Sequence, residues 1–554
     1  MQFIANGPDI PDALLQAHED GRVVFFCGAG ISYPAGLPGF KGLVDAIYRL
    51  VGTTPDAIEL DAYSRGQFDA TLDLLERRLP GQRQGLAMRK ALAKALQPKL
   101  RRKGATDTHT ALQQLARNRE GALRIVTTNF DRVFEQVAKR SKQPVRSYAA
   151  PMLPIPKNSR WNGVVYLHGL LPDKEDDSAL HRLVLTSGDF GLAYLTERWA
   201  ARFVSELFRN YVVCFVGYSI NDPVLRYMMD ALAADRMLGE VTPQAYALGD
   251  CVPGQEHSKA IEWEAKGVTP ILYEVPAGSQ DHSALHNTLK AWSETHRDGI
   301  LGKERIVVSH ALARPSASTR QDDFVGRMLW ALSDKSGLPA QRFAEFNPVP
   351  SLDWLLEAFA EERYQHGDLT RFDVPPRPEV DAKLRFSLVR RPAPYNLASP
   401  MMLVSGGAAN SQWDPVMSQL ARWLARHLDD PALVIWLAQR GAQLHDRWPW
   451  LIEDRLNEFA RLEREGKTSE LEEIRANAPN AIPGPLMKTL WRLLLTGRVK
   501  APWRELDLYR WKDRLNRDGL TTTLRLELRE LLSPKVTLKQ RFRWGDEEED
   551  LPEE

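Results

Sequence analysis

The sequence predicts an α/β fold, a doubly wound parallel sheet with a helical insertion, followed by a mainly α-helical C-terminal region. Three observations predict it. An apolar run, Val23-Val24-Phe25-Phe26, feeds a glycine-rich turn, Gly28-Ala29-Gly30-Ile31-Ser32, and then a helical pattern from Gly42 to Leu50. Further short apolar runs alternate with segments of helical periodicity, the pattern of a parallel sheet covered on both faces. Most of the runs end in short polar clusters, and on such a Rossmann-like sheet ligands bind at the carboxyl ends of the strands.

In chain order, the first strand and its turn are followed by helical spacing in Phe68 to Leu79, Leu86 to Leu96 and His109 to Leu115, the expected insertion. Strands are then expected at Ala122 to Val126, Gly163 to Leu167, Leu183 to Leu185, Tyr211 to Val216, Ala245 to Leu248 and Val268 to Val275. Helical patterns such as Tyr194 to Phe208 and Pro223 to Leu232 separate most of them. The alternation stops near residue 297, so residues 1–297 are read as one domain.

Residues 298–322, with Ala313-Arg314-Pro315-Ser316-Ala317-Ser318-Thr319, read as a linker, because small polar residues with proline bury too little to offset ordering. Residues 323–410 are expected to be an irregular connector, proline-rich from about Asn347 to Pro400. From 411 to 554 the helical signal returns: Val416, Leu420, Trp423 and Leu424 form one stripe, and Leu433, Ile435, Trp436 and Leu437 belong to the next helix. The tryptophans between Trp413 and Trp511 read as helix-packing residues first and binding hot spots second. An acidic tail, Gly545 to Glu554, closes the chain.

With 73 Lys+Arg against 72 Asp+Glu in 554 residues, no global field draws the protein toward nucleic acid or anionic lipid, so direct nucleic-acid binding is not expected. The basic run Lys99-Leu100-Arg101-Arg102-Lys103 reads as a solvated helix face or end. No apolar run approaches the ~18 residues that span a bilayer, and the start lacks the pattern of a signal peptide, so a cytoplasmic protein without a membrane partner is expected. The three cysteines, Cys27, Cys214 and Cys251, are too few for a four-cysteine zinc site and too scattered for a disulfide framework.

A glycine turn between strand and helix brings bare backbone N–H groups up to a ligand, and a dinucleotide's phosphates are expected there. The third glycine comes late, at Gly36, which disfavours hydride-transfer enzymes. The later clusters are Thr127-Thr128-Asn129-Phe130-Asp131, Leu167-His168-Gly169 and Gly217-Tyr218-Ser219-Ile220-Asn221-Asp222-Pro223. Each also has a plain structural reading: Asn129, Asp131 or Asp222 as helix caps, His168 as a hydrogen-bonded loop residue, and the glycines as a tight turn.

Taken together and in this order, Gly-Ala-Gly-Ile-Ser, Thr-x-Asn-x-Asp, His-Gly and Gly-Tyr-Ser-x-x-Asp resemble the sirtuin family over about residues 10 to 295. The resemblance implies that NAD is bound as substrate and cleaved between nicotinamide and ribose. It implies that Gly28, Ala29, Gly30 and Ser32 hold the diphosphate, and that Asn129 orients the ribose or the nucleophile. Asp131 is placed near the carboxamide, His168 is the general base, and Gly217, Ser219, Asn221 and Asp222 form the adenosine side. An unperturbed imidazole titrates near pH ~6.5, which suits a base at cellular pH.

The chain departs from deacetylating sirtuins in lacking the Cys-x-x-Cys pairs of their zinc module, so no metal is expected. It also has Gly36-Leu37-Pro38-Gly39-Phe40-Lys41 where they carry Gly-Ile-Pro-Asp-Phe-Arg. The chain is similar to the zinc-free defence-associated sirtuins of bacteria, which implies an NAD+ glycohydrolase triggered by phage infection. A homo-oligomer is implied as well, together with a phage-derived protein trigger or a defence-system partner protein. Two alternatives stay open: a zinc-free NAD-dependent protein deacylase, and a non-catalytic NAD or ADP-ribose sensor acting through its helical half.

Overall fold

The computed structural model describes residues 1–79, 84–157, 161–220, 228–229, 243–334, 336–359, 415–427, 461–462, 464–467 and 469. It forms two compact units, Met1–Gly302 with Arg320–Asp323, and Lys303–Thr319 with Phe324–Glu554.

The first unit is built on seven parallel strands, β1 (Val23–Cys27), β2 (Arg124–Thr127), β3 (Ser147–Ala149), β4 (Gly163–Tyr166), β5 (Val212–Val216), β6 (Ala245–Cys251) and β7 (Val268–Glu274). Their order in the sheet is β3-β4-β2-β1-β5-β6-β7. The chain therefore builds outward on one side of β1, then returns to β5 on the other. That reversal is a topological switch point, and open α/β sheets bind ligands near such a point, beyond the carboxyl ends of their strands. β1 is buried along its whole length, as a central strand covered on both faces must be.

Helices cover both faces. α1 (Asp12–Glu19) precedes β1, and α2 (Phe40–Val51), α3 (Ala57–Ser64), α4 (Phe68–Arg78), α5 (Gln84–Ala95) and α6 (Asp107–Leu115) lie between β1 and β2. α7 (Val133–Arg140), α8 (Asp177–His181), α9 (Ser187–Phe190), α10 (Trp199–Asn210), α11 (Glu256–Glu264) and α12 (Ser283–Asp298) follow among and after the later strands. One face of the sheet presents Val24, Phe26, Val126 and Phe215 to Phe203, Val204 and Leu207 of α10. On the other, Phe25 meets Trp292 of α12 edge-on with centroids 5.7 Å apart. Each of these large side chains contributes about 1.5–3 kcal/mol by leaving water.

The helices α2, α4 and α5 close a separate core of Leu43, Val44, Ile47, Leu72, Leu75, Met88 and Leu92, joined by Leu180, Leu183 and Leu185. The last two fall in a run expected to be a strand, and it is not one. Leu183 and Leu185 face this cluster while Val184 faces the sheet's core, so the alternation is strand-like. However, the N–H groups of Leu185 and Thr186 donate to Asp189 Oδ2, at 3.0 and 2.9 Å, rather than to a strand. Conversely, the three-residue edge strand β3 carried no signal long enough to read.

Other expectations shift in detail. The helical pattern Tyr194 to Phe208 divides into a π-helical turn, Gly191–Thr196, and α10, with Arg198 at φ +60° between them. The basic run Lys99 to Lys103 occupies turns between α5 and α6, not a helix face. Leu100 packs there with Leu37, Val133 and Val137, and the Lys99 N–H donates to Ala35 O at 2.8 Å. Within the stretch expected to be a linker, Ile300–His310 is a helix and Pro315–Ala317 a short 3₁₀ turn. The helix expected over Pro223 to Leu232 lies outside the described residues apart from Met228 and Met229.

In the second unit the helices Phe324–Leu332 and Leu338–Ala344 precede Pro415–Ala425, on which the expected stripe Val416, Leu420, Trp423 and Leu424 is buried. Trp423 packs edge-on against Phe343, centroids 5.1 Å apart, and donates its indole N–H to Pro350 O at 2.9 Å. The stripe Leu433 to Leu437, most of the 323–410 connector and the acidic tail lie outside the described residues. No helix among the described residues is long and apolar enough to cross a membrane.

Candidate active site

Three loops meet beyond the carboxyl ends of β1, β2 and β5. The glycines of the first turn make that meeting possible. Gly28 N–H donates to Val216 O at 2.8 Å and Gly30 N–H to Gly217 O at 2.9 Å, so these two amides are engaged by the β5 loop. A Cβ on Gly28 would stand 2.7 Å from Gly217 O, and one on Gly30 would stand 2.8 Å from Gly217 Cα. Glycine is needed because two backbones cross in contact. The expectation of bare N–H groups at both positions is corrected accordingly. Ala29–Ala35 then forms a 3₁₀ helix that Gly36 ends at φ +76°, which explains the late glycine as a left-handed C-cap.

Beside this crossing lies a cavity with about 600 Å³ of empty space, counting the part open to solvent. Its polar lining is Ser32, Thr128, Asn129, Asp131 and His168, together with Ala29. Its apolar wall comes from Leu37, Pro38, Phe40, Leu43, Leu96, Phe130, Val184 and Phe190. Thus Ala29, Ser32, Asn129, Asp131 and His168, drawn from three separate segments, share one chamber. Gly28, Gly30 and Gly217 do not line it, and Ser219 is exposed two residues beyond Gly217. Asn221 and Asp222 lie outside the described residues.

Hydrogen bonds fix the polar floor. Asn129 Nδ2 donates to Gly28 O at 3.1 Å and to Ser32 Oγ at 3.3 Å. Ser32 Oγ donates in turn to Asp131 Oδ2 at 3.0 Å, while Asp131 Oδ1 accepts the Val133 N–H at 3.0 Å and so starts α7. Asp131, one residue before the N-cap Arg132, thus serves the start of α7 and also lines the chamber.

A further member, His109 on α6, was not singled out for chemistry. Its Nε2 lies 3.4 Å from Ser32 Oγ, its Nδ1 is buried with no hydrogen-bond partner, and its ring packs against Phe134. The signal was present, because His109 opens an apolar stripe with Leu112 and Leu115, where a histidine is buried. Burial, then the neighbouring His286, lowers its pKa to about 3.

Electrostatics revise one premise. His168 is buried, its Nε2 lies 3.0 Å from the Tyr194 hydroxyl and its ring meets Phe190 edge-on at 5.0 Å. Burial lowers its pKa to about 3, so the imidazole is neutral at cellular pH and is not the ordinary base expected from its free value. Asp131 moves the opposite way: burial raises it to about 6, against the lowering effect of the Val133 N–H and Ser32 bonds.

A carboxyl raised from 3.8 to about 6 stabilises the fold relative to the chain only below its unfolded value, and that contribution is lost as pH rises through about 6. Asp131→Asn, which keeps an oxygen for Val133 N–H, is therefore expected to stabilise the protein by about 1–3 kcal/mol at pH 8 and by nothing below pH ~4. Urea titrations of both forms from pH 8 down to the lowest pH at which both still fold check this; a stabilisation that does not shrink over that range would disprove the burial account.

The comparisons fit this geometry. Residues 123–271, from the start of β2 into β7, match the model of the SIR2-like domain. An uncharacterized protein of Sinorhizobium fredii (strain NBRC 101917 / NGR234), y4cA, is 32% identical over 336 residues, 60% of this chain and 27% of that protein. The chain thus spans about a quarter of the length of that relative. The matched segment contains Asn129, Asp131, His168 and the Gly217–Asp222 loop, and the Gly28–Ser32 turn reaches it through the pairing of β1 with β2 and β5. Among the described residues no group of three or more His, Cys, Asp or Glu is placed to hold a metal ion, and the three cysteines are buried and free. Residues 123–271 therefore form a SIR2-like domain, consistent with a sirtuin-like domain.

Proposed function

We propose that the domain is an NAD+ glycohydrolase that releases nicotinamide and ADP-ribose. One observation carries the reading: Asn129, Asp131 and His168, from two strand ends, line a single chamber with Ser32 of the glycine turn. In the reaction the bond between C1′ and the nicotinamide nitrogen breaks, its electron pair neutralising the pyridinium ring. A water oxygen bonds to C1′ and loses a proton. Positive charge builds on the ribose before water adds, as in glycoside cleavage.

The roles follow from the environments. Asn129, held by Gly28 O and Ser32 Oγ, presents its amide oxygen to the ribose or the water. Neutral His168 accepts a hydrogen bond from the water. As water adds to C1′ it becomes an oxonium, far more acidic than an imidazolium of pKa about 3, so even this weakened base takes the proton. Asp131 steadies Ser32, and on this reading it meets the carboxamide. The apolar wall of Phe40, Leu43 and Leu96 shields the ring as it leaves.

The similarity to defence-associated sirtuins supports a trigger, a phage-derived protein or a defence-system partner protein, and a homo-oligomeric active form whose NAD depletion aborts infection. The same apolar wall favours a second reading, deacylation, in which it would receive an acyl chain. Incubating the protein with NAD, with and without lysate of infected cells, and following both products by chromatography tests these readings. Hydrolysis gives nicotinamide and ADP-ribose without any acylated peptide, and Asn129→Ala lowers the rate about 100-fold or more. Strict dependence on an acylated peptide would select deacylation, and tight binding without turnover under every trigger would select a sensor.

A further inference from the structure

The Gly217-Tyr218-Ser219 loop contains a buried tyrosine to which neither the sequence motifs nor the reaction above gives a task. Its ring is gripped by Phe26 and Phe215, with centroids 6.0 and 5.6 Å away, and lies so close to Gly28 that a Cβ there would be 3.0 Å from two ring carbons. A ring fixed on three sides fixes its hydroxyl. That hydroxyl lies 2.7 Å from Thr128 Oγ1 and 3.3 Å from Cys27 O. A phenol donating to the carbonyl leaves its lone pairs for the threonine O–H, so the chain runs from Thr128 through Tyr218 to Cys27.

Cys27 O is the meeting point. It also accepts Thr127 Oγ1 at 2.9 Å and the Thr128 N–H at 3.2 Å. Thr127 Oγ1 in turn accepts the Asn129 N–H at 3.1 Å. The turn carrying Asn129 is thus tied to the end of β1 by its backbone on one side and by the Thr128 hydroxyl, through a tyrosine at the end of β5, on the other.

We infer that Tyr218 and Thr128 form a positioning pair that sets the Asn129 amide in the chamber. The inference rests on the reading of Asn129 as the amide that meets the reacting ribose, but its geometry is testable without turnover. Neither residue need touch the reacting atoms. Displacements of about 1 Å at a reacting group cost on the order of 100-fold in rate.

Tyr218→Phe keeps the ring contacts and removes the hydroxyl; Thr128→Val removes the other end; Thr128→Ser keeps it. Hydrogen exchange of the full chain, followed peptide by peptide, should show protection at Thr127–Asp131 falling about tenfold in Tyr218→Phe and Thr128→Val, with β7 unchanged. The double variant should lose no more than either single one, as members of one chain do, and Thr128→Ser should retain protection. With NAD as substrate, kcat should fall about 10- to 100-fold at a KM within about twofold of wild type.

Unchanged exchange at Thr127–Asp131, additive losses in the double variant, or a loss spread evenly over the sheet would each overturn the pair. A raised KM with unaltered kcat would overturn it too. If the wild type cleaves no NAD under any trigger, the glycohydrolase reading fails, while the exchange measurements still decide the positioning pair.

Discussion

Lowering the pH from 7 to 5 is expected to unfold the first unit. Four of its histidines are held as neutral rings: the buried His18, His109 and His168 with pKa about 3, and the half-buried His286 with pKa about 4. Burial is the largest cause in each, and His296 and His282 lower His18 and His286 further. The unfolded chain binds protons at these sites from pH ~6.5 downward, while the folded one refuses them until pH 3–4.

Stability is therefore fully present above pH ~6.5 and is lost as pH falls toward the folded values. At pH 5, which is 1.5 units below 6.5, each ring costs about 2 kcal/mol, or about 8 kcal/mol for the four. That is as large as the ~5–15 kcal/mol that holds a typical domain together. Asp131 opposes the trend, but one carboxyl raised to about 6 offsets only about 1 kcal/mol over the interval. Circular dichroism and urea midpoints taken every half pH unit would check this, and a stability that stays flat between pH 7 and 5 would refute it. Replacing His18, whose Nε2 lies 2.8 Å from Leu115 O, by glutamine should move the collapse to lower pH.

The second large effect concerns the loop crossing. Gly217→Ala would set a methyl 2.7 Å from Ile31 N and 3.0 Å from Ile31 Cγ2, at a residue whose φ is +74°. The left-handed backbone alone costs about 1–2 kcal/mol for a residue with a Cβ. Forcing apart two loops tied by Gly28 N–H to Val216 O and Gly30 N–H to Gly217 O adds about 1–3 kcal/mol. A total of about 2–5 kcal/mol is expected, with NAD binding lost alongside.

Gly52→Ala separates the two contributions, because Gly52 has φ +78° and nothing within 4 Å of its Cβ position. Thermal unfolding of both variants, with calorimetric titration of NAD, should show a mild loss at residue 52 and a severe one at residue 217. Equal losses would mean that the crossing carries no weight.

Much of this architecture is legible along the chain. The run Val23 to Phe26 and its turn mark the central strand and the crevice, since a strand buried on both faces needs no alternation. Asn129, Asp131 and His168 are legible as site candidates because each follows a strand end, and parallel strands bring their carboxyl ends to one edge. Side chains that act through distant partners are not legible. His109 meets Ser32 across 77 positions and Tyr218 meets Thr128 across 90, distances at which periodicity carries no information.

For the same reason the partners of the Gly28 and Gly30 amides are not legible. These partners depend on the register of β1 against β5, Cys27 opposite Val216, which no local pattern encodes. The pKa of His168 was missed because it depends on the packing of Phe190 and Tyr194, not on the His-Gly pair.

Phe40, Leu43 and Leu96 reach the chamber from the helices between β1 and β2, whereas Asn129, Asp131 and His168 stand on the ends of β2 and β4. Polar floor and apolar wall are thus carried by separate stretches of the chain. Changing the girth of Phe40, Leu43 or Leu96 would therefore reshape the chamber from a stretch of chain other than the one that carries the amide, carboxyl and imidazole.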